Sequence, residues 1–362
     1  MKKIVLIPLV IIVVGIVFAS AGYAAGGPKG VWVDRNGLHV SDRGELIKVS
    51  ESYNSFKSIS VDAAFLDQII LTEGAGYTVR GQNYEAWGGL EVELIGDTLT
   101  ILANNRNDWS IGWGTGELFR GREDAWVEIT YPGTAILDDV DVKLSAGEAR
   151  VNGIACVSLV VDNSFGDIEV QSVRCDSLRI AANAGRIELD DANVTGEMVL
   201  DNSFGDVELS DIKADALTAT LDSGRMDAET IDAKSVSISN NFGEVKINTA
   251  EAEKMEIQLS SGSLKVDNTK TGDMKVRNSF GDISIDRFEF TGVCEIESMS
   301  GDVTLGLRMA EYDISYTLNV SMGEIWVGET KTRGTYTNRN SEASADLRVD
   351  SDFGSIHVKF VQ

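Results

Sequence analysis

From about residue 145 onward, apolar and polar residues alternate in short bursts, and the bursts return with one phase every 19 or 20 residues. The phase is easiest to see from the glycines Gly147, Gly166, Gly185, Gly205, Gly224, Gly243, Gly262, Gly281 and Gly301. Seven and five residues before them stand pairs such as Leu159 and Val161, Leu178 and Ile180, and Met255 and Ile257. Two and four residues after them stand Ile168 and Val170, Ile187 and Leu189, Val207 and Leu209, and Ile283 and Ile285. Alternation over four to six residues marks a strand with one buried face, and no stretch keeps the 3.6-residue period of an amphipathic helix. A further apolar residue falls seven after the glycine, as in Val173, Ile212, Ile231 and Phe288, so each period holds about three short inward-facing segments. A period that cannot bury its own apolar face must stack on its neighbours. The pattern therefore predicts an all-β chain, a single-stranded β-helix or β-solenoid of about 19-residue turns. Beyond Gly301 the recurrence loosens to Gly323 and Gly354, with the polar stretch 328–345 read as an insertion or long hairpin and Phe353-Gly354-Ser355 as the corner of the last turn.

The glycine marks a corner between strands, where a backbone with positive φ or a close approach excludes side chains. Half the corners read Asn-Ser-Phe-Gly-Asp or a near variant, as at 163–167, 202–206, 240–244 and 278–282, and Asn tolerates similar corners. The residue before the glycine alternates Phe165, Ala184, Phe204, Ser223, Phe242, Ser261, Phe280, Ser300. Turns about 4.8 Å apart leave little room for a ring at every corner, so large next to small is read as packing, with an exposed ladder of rings as the alternative. One residue after the glycine, Asp167, Arg186, Asp206, Arg225 and Glu244 put opposite charges in sequence, a device that would hold register with a few tenths of a kcal/mol per pair. Three residues after it, Glu169, Glu188, Glu208 and Asp227 form an acidic column before Lys246 and Lys265. Such a column is either a solvated face or a place for a divalent cation or basic partner, since hard cations take carboxylate oxygen.

The preceding region, 26–145, is rich in strand patterns but lacks the 19-residue phase. Val31-Trp32-Val33 and Leu38-His39-Val40 predict a hairpin, and strands are expected at 56–61, 66–72, 77–80, 90–94, 98–102 and 125–131. A solenoid end exposes unpaired strand edges, so this region is expected to be a cap with irregular first turns, followed by regular repeats over 146–362. Trp109 and Trp113 lie in a Gly-rich stretch, 104–122, and are candidates either for closing the cap or for gripping a sugar or protein. Residues 1–25 carry Lys2 and Lys3 before an uncharged run from Ile4 to Ala25, the pattern of a signal peptide or a membrane anchor. Either reading puts the rest of the chain outside the cytoplasmic membrane. Cys156 and Cys175 sit at one place in adjacent turns, ten before a glycine, and Thr195, Ala214, Ala233 and Ala252 fill that place elsewhere. A slot for small residues favours two free thiols over a disulfide; Cys294 is expected to be a buried thiol.

The net charge of -25 opposes nucleic acid and anionic lipid headgroups as partners. With two histidines and no nucleophile-elbow, phosphate-loop or metal-ligand spacing, catalytic signatures are scarce, and neither cofactor nor metal is implied. One enzymatic class keeps a foothold, because polysaccharide-acting β-helix enzymes use acidic residues on an outward face. Phe56-Lys57-Ser58-Ile59-Ser60-Val61, Val127-Glu128-Ile129-Thr130-Tyr131-Pro132 and the repeated Ser-Gly-Asp-like corners resemble the bacterial "putative adhesin" domain family, related to the head GIN domains, over roughly 54–360. That resemblance implies a β-helical domain outside the membrane, acting in adhesion or envelope response, with no catalytic residues to carry over. The expected function is a non-enzymatic surface scaffold binding an unknown surface protein or glycan. The alternative is a regulatory module of an envelope-response system that binds another membrane protein.

Overall fold

Stacking sets each inward position directly over its equivalent in the next turn. A computed structural model of the chain describes residues 30–34, 37–41, 46–64, 66–103, 111–114 and 124–361. Residues 1–25, with their export or anchor pattern, lie outside the described residues. Among the described residues no helix is long and apolar enough to cross a membrane. In the regular part, Ile168 pairs with Ile187, Leu178 with Met198 and Val207 with Met226, all in parallel register. The pattern is therefore a β-solenoid, and the inward residues of all turns join into one continuous core. Each fully buried Leu, Ile or Val contributes about 1.5–3 kcal/mol, whereas an exposed ion pair contributes about 0–1 kcal/mol. The apolar columns consequently decide register, and the charge columns refine it.

The 20-residue turn between Gly185 and Gly205 takes its extra residue at a bulge near Gly196. Cys175 therefore stacks on buried Val194 and not on Thr195, which points outward. The rest of that slot is as expected: Cys156, Cys175, Ala214, Ala233 and Ala252 fall in one column, and both cysteines are free and buried. Cys294 is also a free, buried thiol.

At each end the chain leaves sequential order. The turn made by Ser58–Ala63 and Gln68–Gly74 lies between two others. On one side Ile59 pairs with Leu99 and Ile69 with Val127; on the other Ile59 pairs with Val140 and Ile69 with Ala149. The chain thus fills the second layer first, then the outermost layer with Thr98–Ala103 and Trp126–Pro132, and then steps back over the second layer to start the regular turns. The other end mirrors this. Ala345–Phe353 and Ile356–Phe360, last in sequence, lie between the turn of Ile296 and Val303 and the turn of Leu318 and Ile325. The corner glycines accordingly stack in the order Gly301, Gly354, Gly323, not in the sequence order expected from their spacing.

Both outermost turns are covered by antiparallel strands. Tyr77–Tyr84 runs against Trp126–Pro132 and Glu91–Ile95 against Thr98–Ala103 at one end. At the other, Thr335–Asn338 runs against Ile314–Met322 and Thr330–Thr332 against Ile325–Val327, so the polar stretch 328–345 supplies return strands that occupy the free edge. An edge left bare would template pairing with other chains. The predicted hairpin also forms, with Val31 opposite Val40, and Ile111–Gly114 joins it as a third antiparallel strand through Val31 and Trp113.

Two outcomes follow from this topology and its corners. Amides of Leu347, Val349, Ile356 and Val358 should show hydrogen-exchange protection close to that of Ile296 and Val303, because they belong to an interior layer; fraying at the rate of an ordinary terminus would contradict the intercalation. Gly224→Ala should lower stability by about 3 kcal/mol or more, since its φ is +142° and a Cβ would stand 1.9 Å from the Gly205 carbonyl oxygen. Gly76→Ala, with nothing within 4 Å of the added carbon, is the control that should leave the thermal melt nearly unchanged.

Candidate binding surface

The corner column shows what the Asn-Ser-Phe-Gly-Asp sequence does. Each glycine N–H donates to the carbonyl preceding the next glycine, as from Gly166 to Ala184 at 2.9 Å and from Gly224 to Phe242 at 3.0 Å. Three residues before the glycine the side chain points inward, and there Asn163, Asn202, Asn240 and Asn278 are buried. Their Nδ2 atoms donate to the carbonyls of Gly147, Gly185, Gly224 and Gly262, one turn below, at 2.8–3.1 Å. Ala182, Leu221 and Leu259 hold the same place in the turns between. The asparagine is thus a buried clamp between turns, a role that corner tolerance alone did not suggest.

The aspartate after the glycine completes the clamp. Asp167 Oδ1 accepts the Arg186 N–H at 2.8 Å, Asp206 the Arg225 N–H at 2.9 Å, and Asp282 the Asp302 N–H at 2.9 Å. The expected ladder of facing charges is realised only in part. Arg225 does reach Glu244 at 4.0 Å, but it also pairs with Asp227, and Arg186 reaches Glu208 at 3.8 Å. The acids hold backbone donors first, and the arginines lean into the neighbouring acidic column.

That acidic column is in register, Glu169 beside Glu188, Glu188 beside Glu208 and Glu208 beside Asp227. Cations flank it: Arg150 lies 3.2 Å from Glu169, Arg186 reaches Glu208, and Lys246 lies 3.4 Å from Asp227. Among the described residues no group of three or more candidate metal ligands comes together. The column is thereby a partly neutralised charged face. Its upper continuation holds a cluster the sequence order concealed. Trp326 stacks on His357 with centroids 6.1 Å apart, and Lys331 lies 4.6 Å from the Trp326 ring centre. Glu324 binds Lys331 at 2.7 Å and Arg333 at 3.1 Å, and these two hydrogen bonds hold its carboxyl below the usual range. Only the intercalated last turn brings His357 beside Trp326.

The phenylalanines overturn the packing expectation. Phe165, Phe204, Phe242, Phe280 and Phe353 are 64%, 64%, 60%, 55% and 51% exposed, so they project from the rod. Because the turn of Phe353 is intercalated, the alternation continues past the swap as Phe280, Ser300, Phe353, and it ends at the outermost turn, where exposed Met322 lies beside Phe353. The result is an apolar comb with a tooth at every second turn.

Of the other candidates, Trp109 lies outside the described residues. Trp113 is placed only by its backbone, opposite Val31. Trp87 is described and packs edge-on against Tyr84 at 5.1 Å, next to the core. All three thiols are buried. A hydrogen bond to Cys175, and then burial, push Cys156 well above the ordinary thiol range, and burial does the same to Cys294.

With the corners and the stack established, the family can be assigned. The Toastrack DUF4097 model matches residues 58–232 and again 222–359. The chain belongs to the Toastrack DUF4097 family. No curated protein matches it. Among solved structures, a "putative adhesin" from Parabacteroides merdae is 12% identical with a TM-score of 0.34, covering 90% of this chain and 99% of its own. A "putative lipid binding protein" from Parabacteroides distasonis is 12% identical with a TM-score of 0.31, covering 88% and 98%. A "putative adhesin" from Bacteroides fragilis is 10% identical with a TM-score of 0.28, covering 88% and 97%. At these values the likenesses carry no argument about function. The two overlapping matches of the family model meet in the middle of the Toastrack stack, where the turns are most regular.

The clamp is open to measurement. Asn240→Ala should cost about 1–3 kcal/mol, because it leaves the Gly224 carbonyl without its side-chain donor. Arg225→Ala should cost less than about 1 kcal/mol, the range of exposed ion pairs. Urea midpoints at unchanged m-value would report both, and equal costs would contradict the clamp.

Proposed function

We propose that this Toastrack protein works outside the cytoplasmic membrane, held by or released from its N-terminal segment, as a non-enzymatic scaffold that binds a surface protein or glycan. The observation that carries this reading is that one outward column repeats an acid over four adjacent turns, from Glu169 through Glu188 and Glu208 to Asp227. A repeated flat face suits an extended or multivalent partner, whereas a small substrate is normally held in a concave pocket with a few converging polar groups. The Lys2-Lys3 and Ile4–Ala25 pattern supports the location. Trp109, Trp113 and the column Glu169, Glu188, Glu208 and Asp227 are the proposed contacts, the last through complementary charge on a basic partner.

Cosedimentation of the full chain with isolated cell-wall material, run beside pull-down from solubilised membranes, tests the reading. Retention in one of the two is expected, reduced at least tenfold by Glu188→Lys with Glu208→Lys or by Trp109→Ala with Trp113→Ala. Binding that neither pair of substitutions changes would remove those contacts. Glycan cleavage by the wild type that Glu188→Gln with Glu208→Gln abolishes would overturn the non-enzymatic reading.

A further inference from the structure

We propose that the phenylalanine comb is a self-association surface, on which a second copy of this chain docks antiparallel about a two-fold axis perpendicular to the rod. The inference goes beyond the partner-binding reading and does not depend on it. The comb is exposed along its whole length, from Phe165 to Phe353, and monomeric proteins seldom leave a contiguous apolar strip in water. Its teeth recur every two turns, roughly 9.6 Å apart for strands spaced about 4.8 Å, and each gap holds only Ala or Ser. A ring from a facing copy would fill each gap and stand about 4.8 Å from the rings beside it, inside the range of roughly 4.5–7 Å for aromatic pairs. Large alternating with small is a self-complementary shape, the requirement of an isologous interface.

One register satisfies all five phenylalanines. With the axis between the Ser223 and Phe242 layers, Phe242 faces Ser223 of the second copy, Phe204 faces Ser261 and Phe165 faces Ser300. The remaining teeth, Phe280 and Phe353, then face Ala184 and Ala146. The same rotation brings the column after the glycine against itself, with Arg186 opposite Asp282 and Arg225 opposite Glu244. One like-charged pair, Asp167 with Asp302, arises as well; both of those carboxylates already accept a backbone N–H. Five rings a little over half exposed, on side chains that bury about 150–250 Å² each, supply roughly 500 Å² per copy. The total of roughly 1,000 Å² reaches the lower bound of specific interfaces before flanking groups are counted. The net charge of -25 opposes an anionic lipid surface and a second copy alike, and the pairing of Arg186 with Asp282 and of Arg225 with Glu244 offsets it only for the copy.

Ser223→Cys in the full chain, treated in intact membranes with a short bis-maleimide, should give a cross-linked dimer, since the native cysteines are buried. Lys234→Cys, on an exposed side chain at another corner, should not. The Ser223→Cys dimer should fall at least tenfold when Phe204, Phe242 and Phe280 are all changed to Ser. It should fall as far with Ala184→Phe, which plugs a gap and keeps every ring. A cross-link from Lys234→Cys as strong as that from Ser223→Cys would overturn the proposal, as would one that survives both comb variants. So would a chain that stays monomeric while the triple Phe→Ser variant loses binding to lipid vesicles or to cell-wall glycan, which would assign the comb to that partner instead. Binding of a surface protein or glycan by a monomer with an unaffected comb would leave the scaffold reading standing while removing this one.

Discussion

The whole stack depends on a contact that only glycine permits. At each corner the carbonyl oxygen of one glycine stands 1.7–2.1 Å from where the Cβ of the next would be, and φ lies between +115° and +156° along the column. No rotamer change relieves this, because the obstacle is backbone and the missing atom is the first of any side chain. The close approach lets successive corners sit one strand spacing apart. That spacing in turn lets Ile168, Ile187 and Val207 stack without gaps. Were the corners splayed, the apolar columns would lose contact over their whole length. Gly147 is the lowest member, with Leu66 taking the glycine's place beneath it.

A second, longer period is laid over the first. Turns with Asn-Ser-Phe-Gly-Asp hold the turn below through the asparagine amide and the turn above through the aspartate carboxylate, as Asn202 to Gly185 and Asp206 to Arg225 show. The turns between contribute small residues and backbone groups. The structural unit is therefore a pair of turns, one that clamps and one that is clamped. A buried hydrogen bond of this kind adds only about 0.5–1.5 kcal/mol net, so the clamp refines a register that the core already imposes. The phenylalanine travels with the clamping turn, yet nothing in the clamp requires it. An exposed ring retained on each such turn has to be explained by what meets it.

Most of the fold is legible in the sequence because a solenoid turn is a local object whose inward face is written in period two. Leu178 and Ile180 announce their facing without reference to any distant residue. The ends are not legible in the same way. Phe353-Gly354-Ser355 reads as a last turn, which it is in sequence, while the pairing of Ile296 with Val349 across more than fifty residues puts it next to last in space. No local pattern distinguishes the two, since an intercalated strand has the same alternation as a terminal one. The asparagine clamp was hidden for a related reason: a polar residue at an inward position is evidence of a partner, and that partner is a carbonyl one turn away. The rings were misjudged because alternation of size specifies complementarity without saying whether the complement lies within the chain or outside it. The acidic column was legible as a column, but the arginines that lean into it from the neighbouring one were not.

The non-sequential ends bear on how such a rod stays discrete. In a sequential solenoid the terminal layer contacts one neighbour and can peel away, exposing the next edge to fraying or to another molecule. Here neither outermost layer is held by its own edge alone. The layer of Leu318 and Ile325 is bonded to a return strand on its outer side and, on its inner side, to the turn of Val349 and Ile356. To peel it away with its return strands, the ladder to the turn of Val349 and Ile356 must break while both connections of that layer remain tied into the stack. The opposite end repeats the device with Ser58–Ala63 and Gln68–Gly74 as the inserted layer, so each outermost layer is tied down by topology as well as by the antiparallel strands laid against it. Among the described residues the comb of rings is the exposed apolar array that recurs along the lateral face, so it is fixed in place by the same stack that the two ends secure.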